Sequence, residues 1–440
     1  MLAFYDLETA RSTILKRRSL DDIVLPPAMP QNISRLFGEC LTPAQAVARI
    51  LDDVRNKGDM ALRYWTTTLD GAAPEQWRVT DAEIKRALQM LLPDQQDALE
   101  QAAERVYAFH RRQPLASWIT QEMGGTIGQV IRPIRRVGLY IPGGTAPLPS
   151  SVLMTAIPAQ VAGVREIVLV APPQCGTGQI APIILAAAGL LGISEIYALG
   201  GAQAIAALAY GTESIPAVDK LFGPGNLFVT LAKRQVFGVV GIDSLAGPTE
   251  TLIIADDSAR PDWVAADLLA QAEHDLLASA ILLTPSHRLA ESVQLEVAHQ
   301  VEGLSRKEII AASLQNNGGV VLTQNLDEAV SVANAYGPEH LCLSVSDPWR
   351  WAEKVTTAGG IFLGEHSFEV LGDYVAGPSH VMPTGGSARY ASALNVWDFM
   401  KVVSLIALDP ATAARIAPTA ATIAHAEGLD GHARAAEKRS

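Results

Sequence analysis

Apolar residues recur along this chain with two alternating periods, and the periods predict where helices and strands lie. From Thr42 to about Tyr107 the apolar positions fall three and four residues apart, which predicts a mainly helical stretch. Beyond it, short apolar runs alternate with helical patterns. The runs predict strands at residues 136–141, 166–170, 195–199 and 220–222. Strands separated by helices at this spacing are typical of a parallel, doubly wound sheet.

A second alternation of the same kind begins after Pro248. It predicts strands at residues 251–255, 279–284, 320–322, 341–345 and 360–363, with helices between them. Residues 1–33 carry one short helical pattern and then three prolines, which favours an arm outside the main core. Residues after about 395 are predicted to be mostly helical.

The predicted fold class is therefore α/β, with two doubly wound, incomplete Rossmann-like units, a small N-terminal arm and a helical C-terminal tail. The predicted domains are residues 1–33 for the arm, 34–139 with 250–394 for the first α/β domain, 140–249 for the second, and 395–440 for the tail.

Composition narrows the class of protein. The 440 residues are 49% hydrophobic and 18% charged, the balance of a soluble globular enzyme with more than one compact unit. A net charge of −12 argues against a nucleic-acid partner, because phosphate binding needs a basic surface. Three widely spaced cysteines (Cys40, Cys175 and Cys342) and the absence of a signal-peptide pattern favour the cytoplasm. The most apolar stretch, residues 181–210, is interrupted by glycines, so no membrane span is expected.

Three glycine-rich loops follow predicted strands: Pro142-Gly143-Gly144, Gly200-Gly201 and Gly223-Pro224-Gly225. Such loops can present backbone N–H groups to an anionic ligand. None has the GxGxxG spacing of dinucleotide-binding proteins, and each one alone fits an ordinary turn in a doubly wound fold. Their clustering at the carboxyl ends of strands in one unit favours a ligand site. Tyr140, Gln203 and Asn226 would supply side chains there.

Glu339 and His340 place two proton acceptors side by side before a predicted strand. They could be a solvated charge and a capping imidazole. Beside a bound alcohol, however, the imidazole could remove the hydroxyl proton and the carboxylate could activate a water. His380, in a Gly/Pro loop, is a further candidate. Cys175 has no basic neighbour in its loop and is interpreted as a bystander.

Gln271 and His274 lie three residues apart on a predicted helix, so both side chains should share one face. Alone, His274 fits a solvated surface residue, and glutamine is an unusual zinc ligand. With Asp373 and His432 they form a nitrogen and oxygen ligand set that suits zinc or another divalent metal in an open catalytic site. A zinc hydrolase and an inactive NAD-binding regulator remain alternatives at this point.

An ordered series of motifs makes the chain resemble the histidinol dehydrogenase family, whose members catalyse the last two steps of histidine biosynthesis. The motifs lie at residues 137–144, 200–211, 222–226, 246–250, 267–274, 337–341, 372–374 and 380–384.

The resemblance implies one Zn²⁺ per subunit, NAD as the oxidant, and four-electron oxidation of L-histidinol to L-histidine through L-histidinaldehyde. It also implies an intertwined homodimer in which the tail completes the partner subunit's site. The implied roles are as follows: zinc ligands Gln271, His274, Asp373 and His432; bases Glu339 and His340; substrate contacts Thr249, His380 and Glu427, together with the zinc ligands and His340; NAD contacts Tyr140, Gln203 and Asn226.

Two positions depart from the family's common pattern. Thr249 stands where many relatives have Ser, and Ser379 stands where many have Asn. Because relatives of this fold also oxidise sulfonated propanediols, another vicinal hydroxy compound is an alternative substrate. The spacing of Glu427 and His432 favours the amino alcohol, whose ammonium group needs a carboxylate partner.

Overall fold

The computed structural model describes residues 2–17, 19, 28–71, 73–143, 146–174 and 177–439. Gly144 and Cys175 lie outside the described residues. The strands are β1 (Phe4–Tyr5), β2 (Trp118–Thr120), β3 (Thr126–Pro133), β4 (Arg136–Tyr140), β5 (Glu166–Ala171), β6 (Ile196–Ala198), β7 (Lys220–Phe222), β8 (Gly241–Ile242), β9 (Glu250–Ala255), β10 (Ser279–Thr284), β11 (Gly319–Leu322), β12 (His340–Ser344), β13 (Gly360–Leu363) and β14 (Met400–Ala407). The helices are α1 (Leu7–Ser12), α2 (Ala28–Phe37), α3 (Pro43–Asp70), α4 (Asp81–Gln89), α5 (Pro93–His110), α6 (Pro149–Ala162), α7 (Pro182–Leu190), α8 (Gly201–Tyr210), α9 (Leu227–Val236), α10 (Pro261–Ala272), α11 (His287–Gln300), α12 (Lys307–Asn317), α13 (Leu326–Tyr336), α14 (Pro348–Ala352), α15 (Glu369–Tyr374), α16 (Pro410–Ala426) and α17 (Asp430–Glu437).

The chain forms two compact units. The main unit comprises Met1–Arg111 and Arg135–Asp398, and the tail unit comprises Arg112–Ile134 and Phe399–Ser440. The main unit contains two parallel sheets with helices packed against them, so the predicted α/β fold class is confirmed.

The smaller parallel sheet has the strand order β6-β5-β4-β7-β8. Counted from β4, this is the order 3-2-1-4-5 of a doubly wound sheet, and its direction of winding reverses between β4 and β7. Every residue of β4 is buried, as expected for a central strand. Helix α6 begins at Pro149, so the predicted cap Ser150 lies inside the helix instead. Proline suits the first helical position because its fixed φ is already helical.

The larger sheet repeats this arrangement with the order β1-β11-β10-β9-β12-β13, and its neighbouring strands are all parallel. Counted from β9, its last five strands again follow 3-2-1-4-5, with the reversal between β9 and β12. Strand β9 is buried along its whole length, with separate apolar clusters on the two faces of the sheet. The chain start differs from expectation, because β1 pairs with β11 and Leu2 lies in the core.

The tail unit is built on an antiparallel sheet. Strand β14 pairs with β3 over eight residue pairs, from Met400 opposite Pro133 to Ala407 opposite Thr126. Helices α16 and α17 follow β14 in the sequence and pack against each other. The two helices agree with the predicted helical tail, whereas strands β2, β3 and β14 were not predicted. Among the described helices, none combines the length and apolar character needed to cross a membrane.

Candidate active site

Glu339 and His340 lie at the amino end of β12, one of the two strands between which the larger sheet reverses direction. Helix α13 ends at Tyr336 and is capped by Gly337, whose φ of 61° is the left-handed conformation that glycine adopts readily. Pro338 then leads directly into the pair. Both side chains are buried, with Glu339 6% and His340 3% exposed. A solvated surface charge at Glu339 is thereby excluded.

The Glu339 carboxylate is held by the neighbouring strand β9. Its Oε2 accepts hydrogen bonds from the Thr249 hydroxyl at 2.6 Å and from the backbone N–H of Glu250 at 3.0 Å. Burial raises the pKa of Glu339 to about 7, although the nearby His340 and these two hydrogen bonds favour its charged form. A carboxylate with this pKa can take up and release a proton near neutral pH.

The two ring nitrogens of His340 have different surroundings. Nδ1 lies 3.3 Å from the carbonyl oxygen of Glu250 and 3.4 Å from the hydroxyl oxygen of Thr251. Nε2 finds no hydrogen-bond partner among the described residues and lies 3.9 Å from an Asp373 carboxylate oxygen. A carbonyl acceptor at Nδ1 favours the tautomer with the proton on that atom. The Nε2 lone pair is then available to accept a proton.

A second buried carboxylate, that of Glu369, lies close to His340. It is 1% exposed, its Oε1 is 3.7 Å from His340 Nδ1, and it accepts a hydrogen bond from Thr251. Burial, and then the charge of Asp373, raise the pKa of Glu369 well above its usual range. The sequence carries one signal for it: Glu369 and Asp373 are four residues apart, the spacing of one helix face. That signal was not used to predict the site.

Two of the predicted metal ligands lie around the end of α10. Gln271 is fully buried, and neither atom of its amide group has a hydrogen-bond partner within the described part of the chain. His274 is exposed, and its Nδ1 lies 3.1 Å from the Ala270 carbonyl oxygen, which leaves Nε2 free to bind a ligand. The expectation that both lie on one helix is wrong. Helix α10 ends at Ala272, and His274 lies in the following turn.

Asp373 lies on α15, which packs against α10. Its backbone carbonyl oxygen is 2.9 Å from His380 Nδ1, and His380 Nε2 is 3.4 Å from the Ser151 hydroxyl. Burial lowers the pKa of His380, which keeps the ring neutral. Across residues 2–439, as far as they are described, no three His, Cys, Asp or Glu side chains gather closely enough to hold a metal ion. A set of metal ligands near Asp373 must therefore include the Gln271 amide or a group that does not belong to these described side chains.

Glu427 and His432 belong to the tail unit. Glu427 caps the end of α16, His432 lies on α17, and both side chains are exposed.

The predicted cofactor contacts lie where the smaller sheet reverses direction. The Tyr140 hydroxyl, at the end of β4, accepts a 3.1 Å hydrogen bond from the N–H of Gly201 at the start of α8. A side chain at Gly223, after β7, would collide with the Tyr140 carbonyl oxygen, so the two loops approach closely. Ligands of open α/β sheets bind in the crevice at such a reversal.

Gln203 and Asn226 differ in their freedom to bind a ligand. Gln203 is buried and donates to the Asp70 carboxylate at 3.3 Å, while its Oε1 lacks a partner in the described ranges. Asn226 caps α9, with Oδ1 accepting from the N–H groups of Phe228 and Val229. Its amide nitrogen is the group left for a ligand.

Comparison with known proteins decides the family. The family model for histidinol dehydrogenase matches residues 40–440. The chain belongs to the histidinol dehydrogenase family. It is 52% identical over 439 residues to histidinol dehydrogenase of Deinococcus radiodurans, covering 98% of this chain and 99% of that protein. It is 53% identical over 399 residues to the Moorella thermoacetica enzyme, covering 90% of this chain and 94% of that protein.

A solved structure agrees with this assignment. The crystal structure of histidinol dehydrogenase from Elizabethkingia anophelis matches with a TM-score of 0.89 and 36% identity, covering 100% of this chain and 98% of that one. The resemblance seen in the sequence and the predicted enzyme class, a dehydrogenase, are confirmed. Membership of the histidinol dehydrogenase family disfavours the zinc hydrolase and the inactive regulator.

Proposed function

We propose that this protein oxidises L-histidinol to L-histidine through L-histidinaldehyde, with NAD as oxidant and one zinc ion per subunit. The proposal rests on family membership and, within the site, on one observation: Glu339, buried with a pKa near 7, adjoins a histidine whose Nε2 lacks a partner among the described residues. Two different bases are what an alcohol oxidation followed by an aldehyde oxidation requires.

The chain's donor atoms fit a zinc ion. The buried amide of Gln271 has both polar atoms unpaired within the described residues, an arrangement that costs stability unless a ligand satisfies them. His274 offers Nε2 and Asp373 offers a carboxylate, and His432 of the partner subunit would complete the set. When bound, zinc would orient the amine and imidazole nitrogens of histidinol, and NAD would accept a hydride in each oxidation.

In the first oxidation, His340 Nε2 takes the hydroxyl proton of the substrate. The ring is held for this task from its other side, because Nδ1 faces the Glu250 carbonyl oxygen and Glu369 lies 3.7 Å away. A positive charge that develops on the imidazole is stabilised by that carboxylate when it is ionised. Substrate contacts are assigned to Thr249, His380 and, from the partner subunit, Glu427.

In the second oxidation, Glu339 removes a proton from a water molecule that attacks the aldehyde. The water oxygen bonds to the carbonyl carbon and the carbonyl oxygen takes up a proton, which gives a gem-diol. Loss of a hydride, for which NAD would be the acceptor, and of two protons converts the gem-diol to the carboxylate. The Thr249 hydroxyl and the Glu250 N–H fix one carboxylate oxygen of Glu339, which leaves the other oxygen to contact the water. The buried position of both bases also limits loss of the reactive aldehyde to solvent.

NAD is assigned to the crevice lined by Tyr140, Gln203 and Asn226. Support comes from the strand reversal between β4 and β7 and from the N-terminus of α8. The N–H of Gly201 donates to Tyr140 there, so the N–H groups that follow it would face a phosphate group.

A homodimer with exchanged tails is part of the proposal. The apolar side chains of Val402, Val403, Leu405 and Ile406 on β14 are exposed in the single chain, with Ile406 74% exposed. Consecutive exposed apolar residues on a strand are typical of a surface that another chain covers.

The test is the amount of NADH formed from a limiting amount of L-histidinol, followed by near-ultraviolet absorbance. Two equivalents per substrate, with L-histidine as product and loss of activity on chelation, would support the proposal. One equivalent with release of the aldehyde would contradict the four-electron route. NADH formation with a sulfonated propanediol but not with histidinol would identify the alternative substrate.

A further inference from the structure

A partly buried ion pair joins the N-terminal segment to the residues that hold Glu339. The guanidinium group of Arg17 contacts both carboxylate oxygens of Glu250, with Nη2 2.8 Å from Oε2. Glu250 is buried and also accepts a hydrogen bond from the Gly385 N–H at 3.1 Å. Such a two-point contact fixes the carboxylate in orientation as well as position.

The same guanidinium group binds the end of α13. Arg17 Nε donates to the Tyr336 carbonyl oxygen at 2.8 Å, and Nη2 donates to the Gly337 carbonyl oxygen at 3.0 Å. It also stacks on the Tyr336 ring, 3.5 Å from the centroid. These two carbonyl groups belong to the residues just before Pro338 and Glu339.

Arg17 therefore bridges the two segments that determine where the Glu339 carboxylate lies. One segment is the chain that leads into Glu339. The other is the start of β9, where the N–H of Glu250 donates to Glu339 Oε2 at 3.0 Å. Removing the guanidinium group would release both segments and would leave the Glu250 charge buried without its cation.

The N-terminal segment is fixed well enough to place Arg17. Tyr5 pairs with Val321 at the edge of the larger sheet, and Ala10 and Leu15 are buried in its apolar core. Arg17 follows two residues after Leu15. It lies before residue 40, where the match to the family model begins.

We propose that Arg17 is a positioning residue for Glu339, and that it acts on the oxidation of the aldehyde more than on the oxidation of the alcohol. The inference rests on the proposed function, because Glu339 is needed only where water is activated. His340 Nδ1 also faces the Glu250 carbonyl oxygen, but its ring has two further contacts, with Thr251 and Glu369, that Arg17 does not touch. The first step therefore depends less on Arg17 than the second.

The experiment measures the two half-reactions of the full-length dimer by rapid mixing, once with L-histidinol and once with L-histidinaldehyde. Arg17→Ala should slow aldehyde oxidation roughly 10- to 100-fold, because a small displacement of a reacting group costs up to about that much. Alcohol oxidation should stay within about 3-fold of the wild-type rate. Millimolar guanidinium chloride should restore much of the aldehyde rate in this variant and not raise it in the wild type, since the added cation can occupy the vacated position.

Arg17→Lys is the second variant. It keeps the charge but not the planar fork, so it should show the same imbalance between steps without rescue by guanidinium. Arg288→Ala is the matched control, because Arg288 pairs with Asp257 on the exposed surface. Equal losses in both steps for both Arg17 variants, or no rescue of a folded Arg17→Ala protein, would overturn the inference. If the wild type fails to oxidise either compound, the proposed function fails instead, so the two failures are distinguishable.

Discussion

The Thr249 hydroxyl donates a 2.6 Å hydrogen bond to Oε2 of Glu339. Thr249 directly precedes β9, Glu339 directly precedes β12, and these two strands are neighbours in the larger sheet. Besides its proposed contact with substrate, Thr249 supports the ionised form of the proposed water-activating base. The methyl group that distinguishes threonine from serine is not needed for this bond.

Replacing Thr249 separates the hydrogen bond from the rest of the site. Thr249→Val removes the donor while keeping the shape, so the pKa of Glu339 should rise further and less of the carboxylate should be ionised at pH 7. Losing a hydrogen bond to a charged group costs about 1.5–3 kcal/mol, or roughly 10- to 100-fold in the aldehyde rate. The pH–rate profile of aldehyde oxidation should show its acidic limb moved to higher pH.

Thr249→Ser is the matched control, because it retains the hydroxyl. It should leave the position of the acidic limb unchanged. A Thr249→Val profile that overlaps the wild-type profile would show that this bond does not tune Glu339.

Replacing Gln271 should leave the stability of the metal-free protein unchanged or raise it, but should weaken zinc binding. Gln271→Leu removes a buried amide whose two polar atoms lack partners in the described chain, so the metal-free variant should be as stable as the wild type or more stable by about 1–3 kcal/mol. Zinc retention in competition with a chelator should fall, because one ligand is lost. Denaturant unfolding and metal analysis of both forms check this. A destabilised metal-free variant with normal zinc content would contradict the assignment of Gln271 as a ligand.

The buried Glu339 also makes stability depend on pH in a definite direction. Because folding raises its pKa from 4.5 to about 7, the fold favours the protonated form. This favourable contribution is fully present below about pH 4.5 and is lost as the pH rises through 7. Relative to Glu339→Gln, the metal-free wild type should lose up to about 3 kcal/mol of unfolding free energy between pH 4 and pH 8.

Denaturant midpoints of the two proteins at a series of pH values provide the measurement. Glu291→Gln is the control, because it makes the same exchange at an exposed position of α11. Its effect on stability should not change with pH in this way. A constant difference between wild type and Glu339→Gln across this range would refute the raised pKa.

Mixed dimers test whether the tail acts on the partner subunit. His432→Ala should lower zinc content, and Glu339→Gln should block histidine formation, so each homodimer should be nearly inactive. In a random mixture, half of the dimers are mixed and each has one intact site, so about a quarter of the wild-type activity should return. His425→Ala, which changes another exposed histidine of the tail unit, should retain zinc. No recovery on mixing would argue against a site shared between subunits.

The fold class and the local motifs could be predicted from the sequence because both depend on contiguous residues. Apolar runs predicted most strands of the two parallel sheets, although not β1 or β8, and the adjacency of Glu339 and His340 pointed to the proposed bases. The arrangement of side chains around them was less accessible. Glu369 approaches His340 from another segment, and Arg17 reaches Glu250 across more than 200 residues of sequence. Such pairings follow from strand order, which the apolar pattern does not specify.

The tail unit shows the same limit. The sequence of β14, MKVVSLIA, does not alternate apolar and polar residues, so its pattern did not predict a half-buried strand. Its pairing with β3 joins residues that lie more than 250 positions apart in the sequence.

In the proposed mechanism, His340 and Glu339, which are adjacent and both buried, divide two successive oxidations between them. Rapid-mixing kinetics of Glu339→Gln with L-histidinol and with L-histidinaldehyde test it most directly. In this variant the first hydride transfer should stay within a few-fold of the wild-type rate. The second should be slowed by roughly 100-fold or more, the usual contribution of a general base. Equal slowing of both transfers would contradict the division of work between the two residues.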